Sequence, residues 1–441
     1  MRPARTLAAA ALLLAAAACF PGCSRVSHPV APCGCPGTAN FAGYVAVGNS
    51  LTAGYQSGGL VDAHQDAAYP VLLARQFGLT RFPHPRVSAP GFPALLFMDW
   101  DHPAGGLPFS VHPHAGLGTL ENPEEAPYSN LGVPGARVAH FFVNDTTPMF
   151  PLLLGGRGTM WEQLKASRPG FVTFWLGNND ALEALLQGTP AALTPLDQFR
   201  ASYTAAVDSI LSTGAKLAVG NIPDILDTPY ATTVPPYAFD AVSGRPILVF
   251  GQRIPFIGQR DGGAPGPLDP RSLVTLEALQ YLLRGDGIPT FAGGTGKPLP
   301  DHTVLTPLEV DAILTRTRMF NQAINEVCGV RHIPIMDANA LYRRIRVEGY
   351  SLGGVTYTSQ YVQGGIMSLD GVHPGDLGQA IIANEFVAVI NTAYGSALRP
   401  VNLAPFLHAA PQVNATAGSP LAGLAHATQG IDWGRVRRYG F

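Results

Sequence analysis

The sequence predicts a layered α/β fold around a buried, mostly parallel sheet of five strands, interrupted by two long insertions. Three observations predict it. Five short, almost unbroken apolar runs recur along the chain, as expected of strands covered on both faces. Helical patterns follow several of these runs, which is the alternation of α/β units. Two long stretches rich in Pro and Gly break that alternation. Irregular stretches beyond about 15 residues are usually functional.

The apolar runs, in order, are residues 44–47, 130–133, 171–176, 217–220 and 333–336. The clearest helix covers 197–212, where Phe199, Tyr203, Ala206, Ile210 and Leu211 fall near helical spacing. Another covers 307–327, with Thr306 as cap and Glu309 at the reciprocal position of a capping box. A third covers 375–394. The insertions span roughly 80–128 and 229–303, and are expected to lie over the carboxyl edge of the sheet and wall a cleft.

Composition bounds the rest. The 441 residues give room for one large domain or two ordinary ones. With 46% hydrophobic and 13% charged residues, a sizeable core is possible and global disorder is excluded. A net charge of −2 without a basic stripe argues against nucleic acid as partner. The 50 Gly and 40 Pro follow no Gly-x-y period, so they mark irregular connections rather than collagen.

Residues 1–23 read as a leader. Arg2 and Arg5 precede an apolar stretch over 7–18, short of the roughly 20 residues a membrane span needs. Cys19 directly follows Ala16-Ala17-Ala18, as in a lipoprotein cleavage box. Lipid on Cys19 would anchor the exported protein to a membrane. Cys23 is a weaker alternative site, and a plain signal peptide is the other reading. Residues 24–40 read as a tether, 41–398 as the folded domain, and 399–441 as a tail packed on the surface. Cys33-Gly34-Cys35 lacks thioredoxin or zinc spacing. A disulfide from Cys23 to Cys33 or Cys35 is open in an oxidising compartment. Cys328 reads as a small buried hydrophobe.

Four motifs carry chemistry. Gly48-Asn49-Ser50-Leu51 follows the first apolar run. A serine on that turn stands at the sheet edge beside the free N–H groups of a helix start. Asn130-Leu131-Gly132-Val133-Pro134-Gly135 ends in a glycine that can present its N–H unobstructed. Gly177-Asn178-Asn179-Asp180 follows the third run, where an Asn amide is a good oxyanion donor. Asp370-Gly371-Val372-His373 spaces a carboxylate and an imidazole three apart, supplying a general base and its orienting group. Alone, each also fits an ordinary cap or turn.

In this order the four blocks resemble the SGNH hydrolases, also called GDSL-like lipases and esterases. The resemblance runs over roughly 41–397, apart from the insertions. It implies a three-layer α/β/α, flavodoxin-like fold. It also implies Ser50 as nucleophile, His373 as base and Asp370 as its orienter. The oxyanion donors would be the Ser50 and Gly135 N–H groups and the Asn179 amide. No cofactor or metal is implied. Asn49 departs from the pattern, standing where the family has Asp. The expected activity is hydrolysis of carboxylic esters, lipid-like or acyl groups on sugars. Acyl transfer by the same triad, or a silent membrane-anchored binding protein, is the alternative.

Other candidates weigh less. His112 and His114, with His102 nearby, lack the partners of a metal site and read as a polar loop. The segment 221–225 reads as a turn at the cleft wall. Trp161, Phe174, Trp175 and Tyr230 read as core before pocket lining.

Overall fold

The computed structural model describes residues 35–104, 109–239, 245–407 and 426–434. The leader with Cys19 and Cys23, most of the tether with Cys33, and tail residues 408–425 and 435–441 lie outside these.

Five parallel strands form the central sheet: β1 (Val45–Gly48), β2 (Asn130–Gly132), β3 (Phe171–Trp175), β4 (Lys216–Gly220) and β5 (Ile335–Met336). Their spatial order is β5-β4-β3-β1-β2. All five apolar runs are therefore strands of one sheet. The order reverses between β1 and β3, and sites in such sheets sit at the carboxyl ends near the reversal.

The helices that flank the sheet or carry the site are α1 (Ser50–Ala53), α2 (Tyr69–Gln76), α3 (Met160–Ser167), α4 (Asn178–Gln187), α5 (Leu196–Ser212), α6 (Pro307–Gly329), α7 (Ala338–Val347) and α8 (Asp376–Tyr394). The three sequence-predicted helices correspond to α5, α6 and α8. Thr306 caps α6 in a capping box with Glu309, and Pro307 opens it, where a missing N–H costs nothing.

The strands alternate their side chains between two cores, because successive Cβ atoms point to opposite faces. Val45, Val47, Val172, Phe174, Leu217 and Val219 join one core with α3, α4, α5 and α6. Ala46, Phe171, Trp175 and Ala218 join the other with α2, α7 and α8. The result is three layers, α/β/α. Trp175 packs edge-on against Tyr69 of α2 and Phe386 of α8, and its indole N–H donates to the Asn221 carbonyl at 2.8 Å. Phe174 and Tyr230 are likewise buried in the core, while Trp161 packs half-buried against Phe141 and Phe142.

The insertions hold short hairpins. In the first, Leu96–Asp99 pairs with Ser110–Pro113, and the Leu96 N–H donates to the Ser57 carbonyl at 2.7 Å. In the second, short antiparallel pairs join 248–249 to 252–253, 257–260 to 263–267, and 273–274 to 304–305. Among the described residues, no helix is long and apolar enough to cross a membrane.

Both ends differ from expectation. Part of the expected tether, from Cys35 on, packs beside the end of α8, where Thr38 N–H donates to the Tyr394 carbonyl at 2.8 Å. The tail does not simply cover the surface. Ala427, Ile431 and Trp433 are buried, and Trp433 meets the Tyr230 ring edge-on at 5.8 Å. An indole gives a large apolar area to bury, which offsets the cost of ordering that segment.

Candidate active site

β1 ends at Gly48, and the chain turns through Asn49 into α1 with Ser50 as its first residue. The Asn49 side-chain oxygen accepts the Leu51 N–H at 3.1 Å. This is the N-cap bond that Asp would make with the same atom. Asn49 therefore supports the turn in place of the family's Asp, although its Nδ2 is buried without a hydrogen-bond partner.

The loop before α8 brings the other two groups. His373 Nε2 lies 2.8 Å from Ser50 Oγ, and His373 Nδ1 lies 3.0 Å from Asp370 Oδ2. Exposure of Ser50, His373 and Asp370 is 2%, 1% and 0%, so the chain works in a water-poor environment. Asp370 also accepts three backbone N–H groups, from Val372 and His373 at 2.9 Å and from Gly58 at 3.1 Å. Burial alone would raise the Asp370 carboxyl. The facing His373 and the backbone N–H groups of His373 and Val372 outweigh it and hold the group below its ordinary value. The ionised carboxylate fixes the ring orientation and favours the imidazolium formed when the histidine takes a proton.

The loop is braced on every side. Gly371 takes φ +75° at its tight turn, and its carbonyl accepts the Tyr230 N–H at 2.8 Å. Ser368 Oγ accepts the Ser57 N–H at 2.9 Å. The Tyr55 ring lies 5.0 Å from the His373 ring. Gln379 of α8 donates to the Leu51 carbonyl at 3.1 Å and accepts the Tyr69 N–H at 3.0 Å, bolting α1 to α2.

The oxyanion candidates meet next door. Gly135 takes φ +81° in the turn after β2. Asn179, in the first turn of α4, donates its amide to the Ala136 carbonyl at 3.0 Å. Asp180 accepts the Val138 N–H at 3.0 Å. Burial pushes the Asp180 carboxyl up to about 6, against the lowering effect of that N–H. Asn178 is buried with both amide atoms unpartnered. The Asn130 amide donates to the Thr52 carbonyl at 2.8 Å, and the Val133 N–H to the Gly48 carbonyl at 3.1 Å. The turn is thereby fixed to α1.

The structure thus brings Ser50, His373 and Asp370 into one hydrogen-bonded line, and Gly135 and Asn179 into one turn–helix contact. Cys19 lies outside the described residues. Sequence reasoning missed Gly58, Ser57, Ser368 and Gln379 as supports. It quoted Asp180 in a motif but gave it no role. The 221–225 segment is a clamp rather than a bare wall: the Asn221 amide donates to Asp337 at 2.8 Å and its oxygen accepts the Asn339 N–H at 3.0 Å.

His102, His112 and His114 of the first insertion do not converge on one point. His112 pairs with Ser110 at 2.8 Å, His114 stacks on Phe97 at 4.1 Å, and His102 pairs with Asp99 at 2.8 Å. Asp62, Asp66 and His84 place ligand atoms within 4.8 Å of one another. There Arg86 already occupies both Asp62 oxygens, at 2.7 and 2.6 Å.

A buried serine–histidine–aspartate line at the carboxyl edge of a parallel sheet defines a serine-hydrolase type of site. The chain belongs to the GDSL-like lipase/acylhydrolase family, whose model matches residues 44–386. It is a carboxylic ester hydrolase. No curated protein matches it in sequence. Among solved structures, it is similar to an acetylxylan esterase from Geobacillus stearothermophilus at 11% identity and a TM-score of 0.35, covering 79% of this chain and 93% of that one. An extracellular lipase from Streptomyces rimosus is similar at 14% identity and a TM-score of 0.31, covering 79% and 98%. A putative lipolytic protein of the G-D-S-L family from Desulfitobacterium hafniense is similar at 11% identity and a TM-score of 0.33, covering 78% and 98%.

Proposed function

We propose that the chain cleaves its ester through an acyl-enzyme on Ser50. The observation that supports this reading is the continuous line from Asp370 through His373 to Ser50, at 3.0 and 2.8 Å. His373 takes the Ser50 proton as Oγ attacks the ester carbonyl, and gives it to the departing alkoxide. The Ser50 and Gly135 N–H groups and the Asn179 amide hold the oxyanion. Water, deprotonated by His373, then releases the acid and restores Ser50.

The substrate is a lipid-like ester or an acyl group on a sugar. The deep burial of Ser50 favours a slim acyl chain entering end-on. The enzyme is exported and held at a membrane through lipid on Cys19, a reading motivated by the apolar leader and the small residues before Cys19.

The test is hydrolysis of p-nitrophenyl esters from acetyl to long acyl, by the wild type and by Ser50→Ala. Activity with a chain-length preference, lost in Ser50→Ala, is expected. Equal rates in both proteins would remove Ser50 as nucleophile. Metabolic labelling with a fatty acid, lost in Cys19→Ala, checks the anchor.

A further inference from the structure

The second insertion carries an arm that the ester chemistry does not use. Leu248–Val249 and Gln252–Arg253 form a two-stranded hairpin closed by Phe250 and Gly251. Leu248, Val249 and Phe250 are all exposed, and Phe250 is fully so. A solvent-facing hairpin ordinarily carries polar residues there.

The backbone adds a second, independent observation. Phe250 and Gly251 take φ of +51° and +79°. Two-residue hairpin turns with both central φ values positive take Asn, Asp or Gly at the first place. A bulky aromatic residue in the left-handed region is strained, and such strain persists where it serves a role. The sequence thus keeps an apolar ring at the apex against both solvation and local geometry.

Charge completes the pattern. Residues 245–260 contain Arg245, Arg253 and Arg260 and neither Asp nor Glu; Asp261 follows immediately. Arg253 is exposed, its guanidinium 4.4 Å from the centre of the Tyr237 ring. An apolar apex with the exposed Arg253 on the same hairpin suits a lipid–water interface, where the tip enters the acyl boundary and the cation meets headgroup phosphates. A stable protein interface needs roughly 800 Å² per partner, more than so small a convex tip offers.

The arm is rooted in the core, and the insertion that carries it begins beside the site. The Ala238 N–H donates to the Ile254 carbonyl at 2.7 Å, and Ile254 and Phe256 are buried in the core. The same insertion opens at Pro229–Thr232, where the Tyr230 N–H reaches the Gly371 carbonyl next to Asp370.

We propose that the hairpin tip Leu248-Val249-Phe250 is an interfacial anchor that inserts into an anionic lipid surface. The inference does not depend on the chemistry at Ser50. It is tested with the full chain and vesicles of phosphatidylglycerol and phosphatidylcholine in equal parts. Phe250→Trp reads the tip directly: its emission, after subtraction of the wild-type spectrum, should shift to the blue on adding vesicles. Phe250→Asn suits the turn, so its melting temperature should hold or rise while vesicle affinity falls about tenfold or more. Added salt should weaken binding by the wild type. An unshifted Phe250→Trp spectrum overturns the proposal, as does Phe250→Asn binding as tightly as the wild type. Selective capture of a soluble protein through the tip, without the vesicle-induced shift, would overturn it in favour of a protein partner.

Discussion

The side-chain amide of Asn179 donates to the Ala136 carbonyl at 3.0 Å. One bond thereby joins the first turn of α4 to the turn at Gly135, the two places proposed to supply oxyanion donors. An Asn amide has two N–H bonds. One is spent on holding the turn, and the other is the donor proposed for the substrate oxygen. Asn179→Ala removes both at once. It should lower kcat by about 10²–10³-fold with little change in KM, since the donor acts mainly on charge that develops in the transition state. Steady-state kinetics on the preferred ester checks this. A variant with raised KM and unchanged kcat would place Asn179 in ground-state binding instead.

Asp180 provides the second tie, through the Val138 N–H at 3.0 Å. Its carboxyl is raised by burial from the ordinary 3.8 to about 6. The unfolded chain therefore loses this proton first as pH rises. Stability contributed by Asp180 falls from about pH 4 to about pH 6, and the penalty persists above that. Asp180→Asn keeps an oxygen for Val138 and removes the charge. It should gain on the wild type across this window and end up to about 3 kcal/mol more stable at neutral pH. Urea unfolding of both proteins at pH 4, 5, 6 and 7 measures the gap. A gap that stays constant with pH would mean the carboxyl titrates alike in both states.

Asp370 runs the other way. Its carboxyl is lowered by His373 and by the backbone N–H groups of Val372 and His373, despite burial. Its stabilising contribution is present above the ordinary carboxylate value and is lost as pH falls through the lower folded value. Asp370→Asn deprives the His373 ring of its charged partner. The protein should still fold, and kcat should drop about 10⁴-fold. Wild-type-like activity in Asp370→Asn at neutral pH would assign the orienting role elsewhere.

Local order made much of this legible. Val45 and Val47 alternate with Ala46 between two apolar cores, so β1 reads as a buried strand from sequence alone. Asp370 and His373 share one short loop, and Ser50 lies two residues past the end of β1. Each motif alone fits a cap or turn, and their order together with the family resemblance is what assigned their roles. Contacts between distant segments left no such trace. The Ser57 N–H meets Ser368 Oγ across 311 residues, and nothing in either neighbourhood announces the other. Gln379 looks like one polar residue in an apolar helix until its two bonds to Leu51 and Tyr69 are seen. Trp433 lies in a tail whose composition suggests surface, and its burial depends on the Tyr230 ring some 200 residues earlier. The two-residue strands at 248–249 and 252–253 are too short to show a period.

The position of Ser50 depends on a close approach that only glycine permits. A Cβ on Gly132 of β2 would lie 2.4 Å from the Ala53 nitrogen, 2.7 Å from the Thr52 carbonyl carbon and 2.9 Å from the Ala53 Cα. All three are backbone atoms of α1, so no side chain can rotate away. Either β2 or α1 must shift, and α1 begins at Ser50. The 2.8 Å contact from Ser50 Oγ to His373 Nε2 shifts with it. A misplacement of about 1 Å near reacting groups costs up to roughly 100-fold in rate. Gly132→Ala should therefore lower kcat by about 10–100-fold and stability by about 1–3 kcal/mol. Gly329, at the end of α6, has nothing within 4 Å of its added Cβ. Gly329→Ala is the matched control and should leave kcat unchanged. If the two variants turn over ester equally fast, the approach of β2 to α1 does not set the geometry of Ser50.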